Sequence, residues 1–285
     1  MHFIDTHCHL DAAEFGGTSS QLISDALAQQ VTTIVVPSVA ASNFAAVRAL
    51  AQQHKNCAAA YGIHPLYVGQ AHADDLHTLR EFLREGNAVA VGEIGLDFYV
   101  ANVDATQQQF FFREQLKLAR EFDLPVLLHV RKAVDAVLQS LRLHPVQGGI
   151  AHAFNGSRQQ ADALIKLGFK LGFGGAMTHS RALHLRELAA TLPLESIVLE
   201  TDAPDMPPAF LARGEPNGQA RFLHPNPPPQ EGEGTSDLLR KNLINMPANL
   251  PRIAQTLAEL RGISLAEIAA ATTHNALRVL PLLRR

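Results

Sequence analysis

Short apolar runs alternate along this chain with longer amphipathic segments, and few folds accommodate so regular an alternation. Runs rich in Val, Ile, Leu and Ala mark strands near residues 2–7, 32–37, 57–62, 88–94, 125–130, 148–153, 169–173 and 196–200. Between them, apolar side chains recur at helical spacing over 19–30, 42–54, 73–86, 106–123, 132–143, 157–167 and 179–191. Two more helical patterns, 249–261 and 264–280, follow the last run. Eight strands separated by helices is the count of a (β/α)8 TIM barrel. A doubly wound open sheet is the rival architecture, but no Gly-rich dinucleotide loop follows the first strand. The expected class is therefore α/β, a (β/α)8 TIM barrel.

With 285 residues, 47% hydrophobic and 18% charged, the chain suffices for a large core, and 1–285 is expected to form a single barrel domain. One stretch breaks the rhythm. Residues 205–242, with Pro225-Asn-Pro-Pro-Pro229 and Glu231-Gly-Glu-Gly234, are too rich in Pro, Gly and polar residues to bury a core of their own. They read as a loop insertion after the eighth strand, either a spacer or a segment that contacts substrate. A net charge of -3 argues against a broad basic nucleic-acid footprint, although bound divalent ions would alter the local field. Two cysteines, Cys8 and Cys57, build no disulfide framework and fit a reducing compartment. The N-terminus reaches a polar motif at once, unlike a signal peptide, and no apolar run approaches a membrane span. A soluble cytoplasmic protein with no membrane association and no evident obligate protein partner is the expectation.

Barrel chemistry sits at the C-terminal ends of the strands. The first strand runs into His7-Cys8-His9, where alternation sends both imidazoles to one side and the thiol to the other. Further along come His64, Glu93, His129 with Arg131, His152, and Asp202 near the end of the eighth strand. Each alone has a dull explanation: a histidine satisfied by backbone, a carboxylate that organises a turn. Six candidate ligands, His7, His9, Glu93, His129, His152 and Asp202, nevertheless converge on one rim from five strands. Four imidazoles and two carboxylates exceed the three protein ligands of a typical catalytic zinc site, which points to two ions. Imidazole with carboxylate suits Zn²⁺, Mn²⁺, Ni²⁺ or Fe²⁺ and disfavours Ca²⁺. Two ions about 3.5–4 Å apart need a bridging carboxylate, and Glu93 is the natural one.

The motifs Asp5-Thr-His-Cys-His-Leu10, Gly62-Ile-His-Pro65, Gly92-Glu-Ile-Gly-Leu-Asp97, His129-Val-Arg131, His152-Ala-Phe-Asn-Gly156 and Glu200-Thr-Asp-Ala-Pro204 together resemble the TatD family. These are metal-dependent hydrolases of the amidohydrolase-like barrel group, often described as deoxyribonucleases. The resemblance spans 1–204 and resumes at Asn245-Met-Pro247 and Thr272-Thr-His-Asn-Ala276. It implies that His7, His9 and Asp202 hold one divalent ion, with Glu93 bridging to a second completed by His129 and His152. Mg²⁺ joins the possible metals. Asp202, as general base, and Glu93 would be catalytic, while His64, Arg131 and Asp205 would contact substrate. Two departures stand out: the insertion near 217–242, and Leu280 where relatives often place an aromatic, read as a packing change.

The leading functional reading is metal-assisted hydrolysis of phosphodiester bonds in DNA, exonuclease-like, on ends or single strands. The alternative keeps the metals and changes the bond, as in an ester or amide hydrolase such as an aminoacyl-tRNA deacylase. A non-catalytic scaffold would have lost ligands, and here every expected one is present.

Overall fold

The computed structural model describes residues 1–101, 103–211 and 244–284. The strands are β1 (Phe3–Asp5), β2 (Val31–Pro37), β3 (Cys57–Tyr61), β4 (Ala88–Asp97), β5 (Val126–Arg131), β6 (Gly149–Ala151), β7 (Phe169–Phe173) and β8 (Ile197–Leu199). They form one sheet in sequence order, each parallel to the next. The seam between first and last strand is closed by backbone bonds just beyond them. Thr6 N donates to Leu199 O at 3.1 Å, Asp202 N to His7 O at 2.8 Å, and His9 N to Ala203 O at 2.8 Å. The result is a (β/α)8 barrel.

Each parallel crossover is a helix: α1 (Ser19–Ala28), α2 (Phe44–Gln53), α3 (Ala73–Arg84), α4 (Ala105–Glu121), α5 (Val134–Leu143), α6 (Arg158–Lys166) and α7 (Leu183–Thr191). Two more, α8 (Leu250–Arg261) and α9 (Leu265–Val279), follow β8 in the chain. Their starts are chemically marked. Asp104 accepts from Thr106 N and Gln107 N to cap α4, and Ser264 with Glu267 forms a capping box on α9. No helix among the described residues is long and apolar enough to cross a membrane.

Strand alternation divides the core into two layers. Outward residues such as Ile34, Val36, Leu128 and Phe169 pack against the helices. Inward residues Ile4, Val35, Leu127, Ile150 and Val198 fill the lumen with Ala276 and Leu280 at the end of α9. Two positions after Leu127, Ile150 and Val198 come His129, His152 and Glu200. The same inward face thus turns from apolar to polar along the barrel axis, and the close of α9 plugs the apolar end. Leu280 is fully buried there.

Several boundaries differ from the expected ones, and three of the differences have a local cause. β1 ends at Asp5, before His7 and His9, because Thr6 and His9 bond to the segment around β8 while Cys8 N bonds to Val35 O on β2. β4 continues to Asp97 instead of stopping at 94, with a register shift between Val91 and Ile94. The continuation requires glycine at 95: φ is +151°, and a Cβ would lie 1.9 Å from His129 O. α7 begins at Leu183, not 179, because the chain first makes a 3-10 turn over Gly175–Thr178. Thr178 Oγ1 pins that turn, donating to Gly175 O and accepting from Ala209 N. Of the insertion expected over 205–242, residues 212–242 lie outside the described residues.

Leu280→Ala should cost about 2–5 kcal/mol, the range for deleting a fully buried leucine, as measured by urea unfolding. A loss under about 1 kcal/mol would show that Leu280 does not plug the lumen.

Candidate metal centre

The polar end of the lumen gathers His7, His9, His64, Glu93, His129, His152 and Asp202, all buried. Glu93 lies at their centre, and its two oxygens face different partners. Oε2 is 3.1 Å from His7 Nε2 and 3.5 Å from His9 Nε2. Oε1 is 2.8 Å from His152 Nε2 and 3.0 Å from His129 Nδ1. Asp202 Oδ1 stands 3.7 Å from both His7 Nε2 and His9 Nε2. The His7 and His9 Nε2 atoms are 3.2 Å apart, so both rings share one side while Cys8 Sγ turns away toward Ala203 O.

These separations suit a metal ion. A tetrahedral shell with bonds of about 2.0–2.1 Å puts neighbouring donors about 3.3–3.4 Å apart. Donor spacings of 3.1, 3.2, 3.5 and 3.7 Å around Glu93 Oε2, and of 2.8, 3.0 and 3.3 Å around Oε1, bracket that value. Facing imidazole nitrogens can share at most one proton, so a cation resolves contacts that hydrogen bonding alone leaves unmatched. The tautomers also agree. Asp97 Oδ2 lies 3.0 Å from His129 Nε2, which places the proton of neutral His129 on Nε2 and leaves the Nδ1 lone pair facing Glu93.

His64 is different. Its Nδ1 accepts from Leu66 N at 3.1 Å, so the neutral ring carries its proton on Nε2. That buried N–H has no hydrogen-bond partner, although Nε2 lies only 3.4 Å from Glu93 Oε1. Burial lowers the His64 pKa to about 4, so the ring is neutral.

Above this floor opens a cleft of about 1210 Å³. His9, Glu93, His129, His152 and Asp202 reach its floor, and Asp205 stands beside them. Arg131, Lys132 and Arg181 line its walls together with Phe98 and Tyr99. The Arg131 guanidinium carbon lies 3.8 Å from the centre of the Tyr99 ring. The structure thus brings all nine sequence-singled residues to one cleft or directly beneath it.

The family described as TatD related DNase matches residues 4–281. This chain belongs to the TatD family. It is 44% identical over 219 residues to YjjV of Escherichia coli, named an uncharacterized metal-dependent hydrolase, covering 75% of this chain and 84% of that one. It is 31% identical over 277 residues to a protein of Pantoea sp. named 3'-5' ssDNA/RNA exonuclease TatD, covering 95% and 96%. The crystal structure of the TatD homologue YJJV from Escherichia coli superimposes with a TM-score of 0.83 at 36% identity, covering 98% of each chain.

In this TatD barrel, several supporting residues escape a reading that looks only for ligands. Asp97 orients His129. Gln108 on α4 clamps Asp97 by accepting from its N–H and donating to its carbonyl, and Gln115 clamps Ile63, just before His64, in the same way. Both glutamines lie on the buried side of an otherwise amphipathic helix, which was the available signal. Asp5 accepts from His7 N, Thr201 N and Thr201 Oγ1, tying the two ends of the seam together. Glu200 Oε1 accepts from Ala153 N, and its packing requires Gly172, where a Cβ would lie 2.1 Å from Glu200 Oε2.

Burial raises every carboxylate here unless cations answer it. It pushes Asp5 up to about 7, Glu200 to about 8, and Asp205, beside the Asp202 charge, to about 7. Glu93 is buried too, yet the charge of His152 and the His129 hydrogen bond hold it well below the ordinary range. Burial alone would lower the imidazoles, but Glu93 and Asp202 push His9 up to about 9 and His152 to about 10.

Thr201→Val removes a 2.6 Å donor from Asp5. Asp5 ionises near 7 in the fold and near 3.8 unfolded, so its burial costs stability progressively as pH rises between those values. Without the donor the folded pKa rises further. The loss, about 1.5–3 kcal/mol for a bond to a charged group, should therefore be larger at about pH 8 than at about pH 5. Denaturant unfolding of metal-free protein measures it, and an equal loss at both pH values would contradict this account.

Proposed function

We propose that this TatD-family chain is a divalent-metal-dependent phosphodiesterase that removes nucleotides from unpaired DNA ends. The observation that carries the reading is the division of Glu93 between two imidazole pairs, at the floor of a cleft with cationic walls. His7, His9 and Asp202 would hold one ion, His129 and His152 a second, with Glu93 shared between them. Bound divalent ions supply Lewis acidity, which brings the deprotonation of water toward neutral pH and offsets charge on phosphoryl oxygens.

The chain's own residues do the rest. Asp202 reaches the cleft floor with Oδ1 and would accept the proton of the attacking water. Its backbone holds a left-handed φ of 56°, and its N–H is fixed on His7 O, so the carboxylate is placed before substrate arrives. His64 Nε2, close to Glu93 Oε1 and without a partner of its own, would donate its proton to a substrate oxygen at the centre. Arg131 on the wall would make a charge-assisted hydrogen bond to phosphate. Asp205, beside Asp202, would contact the substrate at the cleft edge. Relatives named as a 3'-5' ssDNA/RNA exonuclease support the choice of bond.

Calorimetric titration with Zn²⁺ or Mn²⁺ should give two ions per wild-type chain, and Glu93→Gln should weaken both sites at least about tenfold. Because His9 and His152 hold protons up to about 9 and 10 without an ion, uptake must displace them. Apparent affinity should therefore rise between about pH 6 and pH 9. One ion per chain, or an affinity that falls with pH, would refute the two-site arrangement.

The bond itself is tested by offering the metal-loaded protein single-stranded DNA and aminoacyl-tRNA side by side. DNA should be shortened from an end, and Asp202→Asn should slow that by about 10²–10⁴-fold. Deacylation of the tRNA with intact DNA would assign the centre to carboxylic esters.

A further inference from the structure

The cleft wall carries a feature that water-activating chemistry does not use. Phe98 and Tyr99 follow β4 directly and are 39% and 56% exposed, although both line the cleft. Two adjacent aromatic rings left this open beside a buried polar centre offer a stacking surface. The ring of Tyr99 is also polarised, since Arg131 sits on it at 3.8 Å. Arg131 thus adds a positive charge to this surface, and Lys132 follows it in the cleft lining.

This surface is held rigidly against the centre. Asp97 Oδ1 accepts from Tyr99 N at 2.9 Å and Val100 N at 3.2 Å, while Oδ2 of the same carboxylate holds His129 Nε2 at 3.0 Å. Phe98 N donates to Arg131 O at 2.9 Å, and Asp97 pairs with Arg131 in the β4–β5 register. One buried carboxylate therefore fixes the spacing between the aromatic turn and the imidazole cluster. With a net charge of -3 the chain has no general attraction for nucleic acid, so affinity must come from local contacts such as these.

We infer that Tyr99, with Arg131 stacked on it, seats an unpaired nucleobase of single-stranded DNA beside the phosphate to be cleaved. The inference rests on the phosphodiesterase reading and names how its substrate is selected. A ring face accepts any base, so the seat reads unpairedness and not sequence. A base within a duplex is already stacked on both sides and has no face to offer.

The test is equilibrium binding to metal-loaded full-length protein, by fluorescence anisotropy. The probe is a labelled hexathymidylate with uncleavable phosphorothioate linkages, compared with the same strand carrying three abasic residues at its 3' end. Tyr99→Ala should weaken binding of the base-bearing strand by about 5- to 100-fold and leave the abasic strand within about twofold. Tyr99→Phe should bind like wild type, because the ring is retained. The inference is overturned if Tyr99→Ala binds both strands as wild type does, or weakens both equally, or if wild-type protein does not distinguish them. Hydrolysis of an ordinary strand is followed separately. Base-dependent binding through Tyr99 without hydrolysis would sink the phosphodiesterase reading and leave the base seat standing. Hydrolysis indifferent to Tyr99 would do the reverse.

Discussion

A single carboxylate sets the terms for this structure. Glu93 is 1% exposed, and taking an isolated carboxylate so far from water is prohibitive unless cations or donors answer it. Five imidazoles come within reach: His7, His9, His64, His129 and His152. They arrive from the ends of β1, β3, β5 and β6, while Glu93 belongs to β4. No local segment could assemble that company. The closed barrel is what brings these strand ends together around one point, and the burial of Glu93 depends on its closure.

Around the centre, precision comes from polar clamps more than from apolar packing. Asp97 orients His129, Gln108 holds Asp97, Gln115 holds the approach to His64, and Asp5 with Thr201 ties the seam. Non-glycine residues at the rim adopt left-handed backbone: Lys132, Ala153 and Asp202 have φ of 54°, 45° and 56°. Such conformations cost energy and persist where surrounding bonds over-determine them. The same clamps run outward, since Asp97 also shapes the turn carrying Tyr99. Floor and wall of the cleft are therefore one rigid unit, which is what preorganised chemistry requires.

Much of this was legible beforehand. The eight strands and their helices announce themselves because a parallel barrel strand is a short apolar run and a covering helix is amphipathic, two signals that differ in period. The inward-facing histidines stand out because they interrupt such runs. What stayed hidden depended on neighbours. The extension of β4 past Gly95 rests on a close approach of His129 O, and the end of β1 at Asp5 rests on bonds to the segment around β8. Asp97 and Glu200 lie in the quoted motifs, yet their roles depend on partners at His129 and Ala153. Gln108 and Gln115 fall on the buried side of α4, but which strand ends they bind is set only by the fold.

The sequence by itself determined the barrel and the cast of residues at its mouth, since period and residue chemistry are local properties. The tertiary structure alone decided how that cast is arranged. It set Glu93 Oε2 toward His7 and His9 and Oε1 toward His129 and His152. It also left the His64 proton on Nε2, near the centre, because Leu66 N occupies the other ring nitrogen. Those choices turn on angles and distances of tenths of an ångström between strands far apart in the chain, and no spacing along the sequence encodes them.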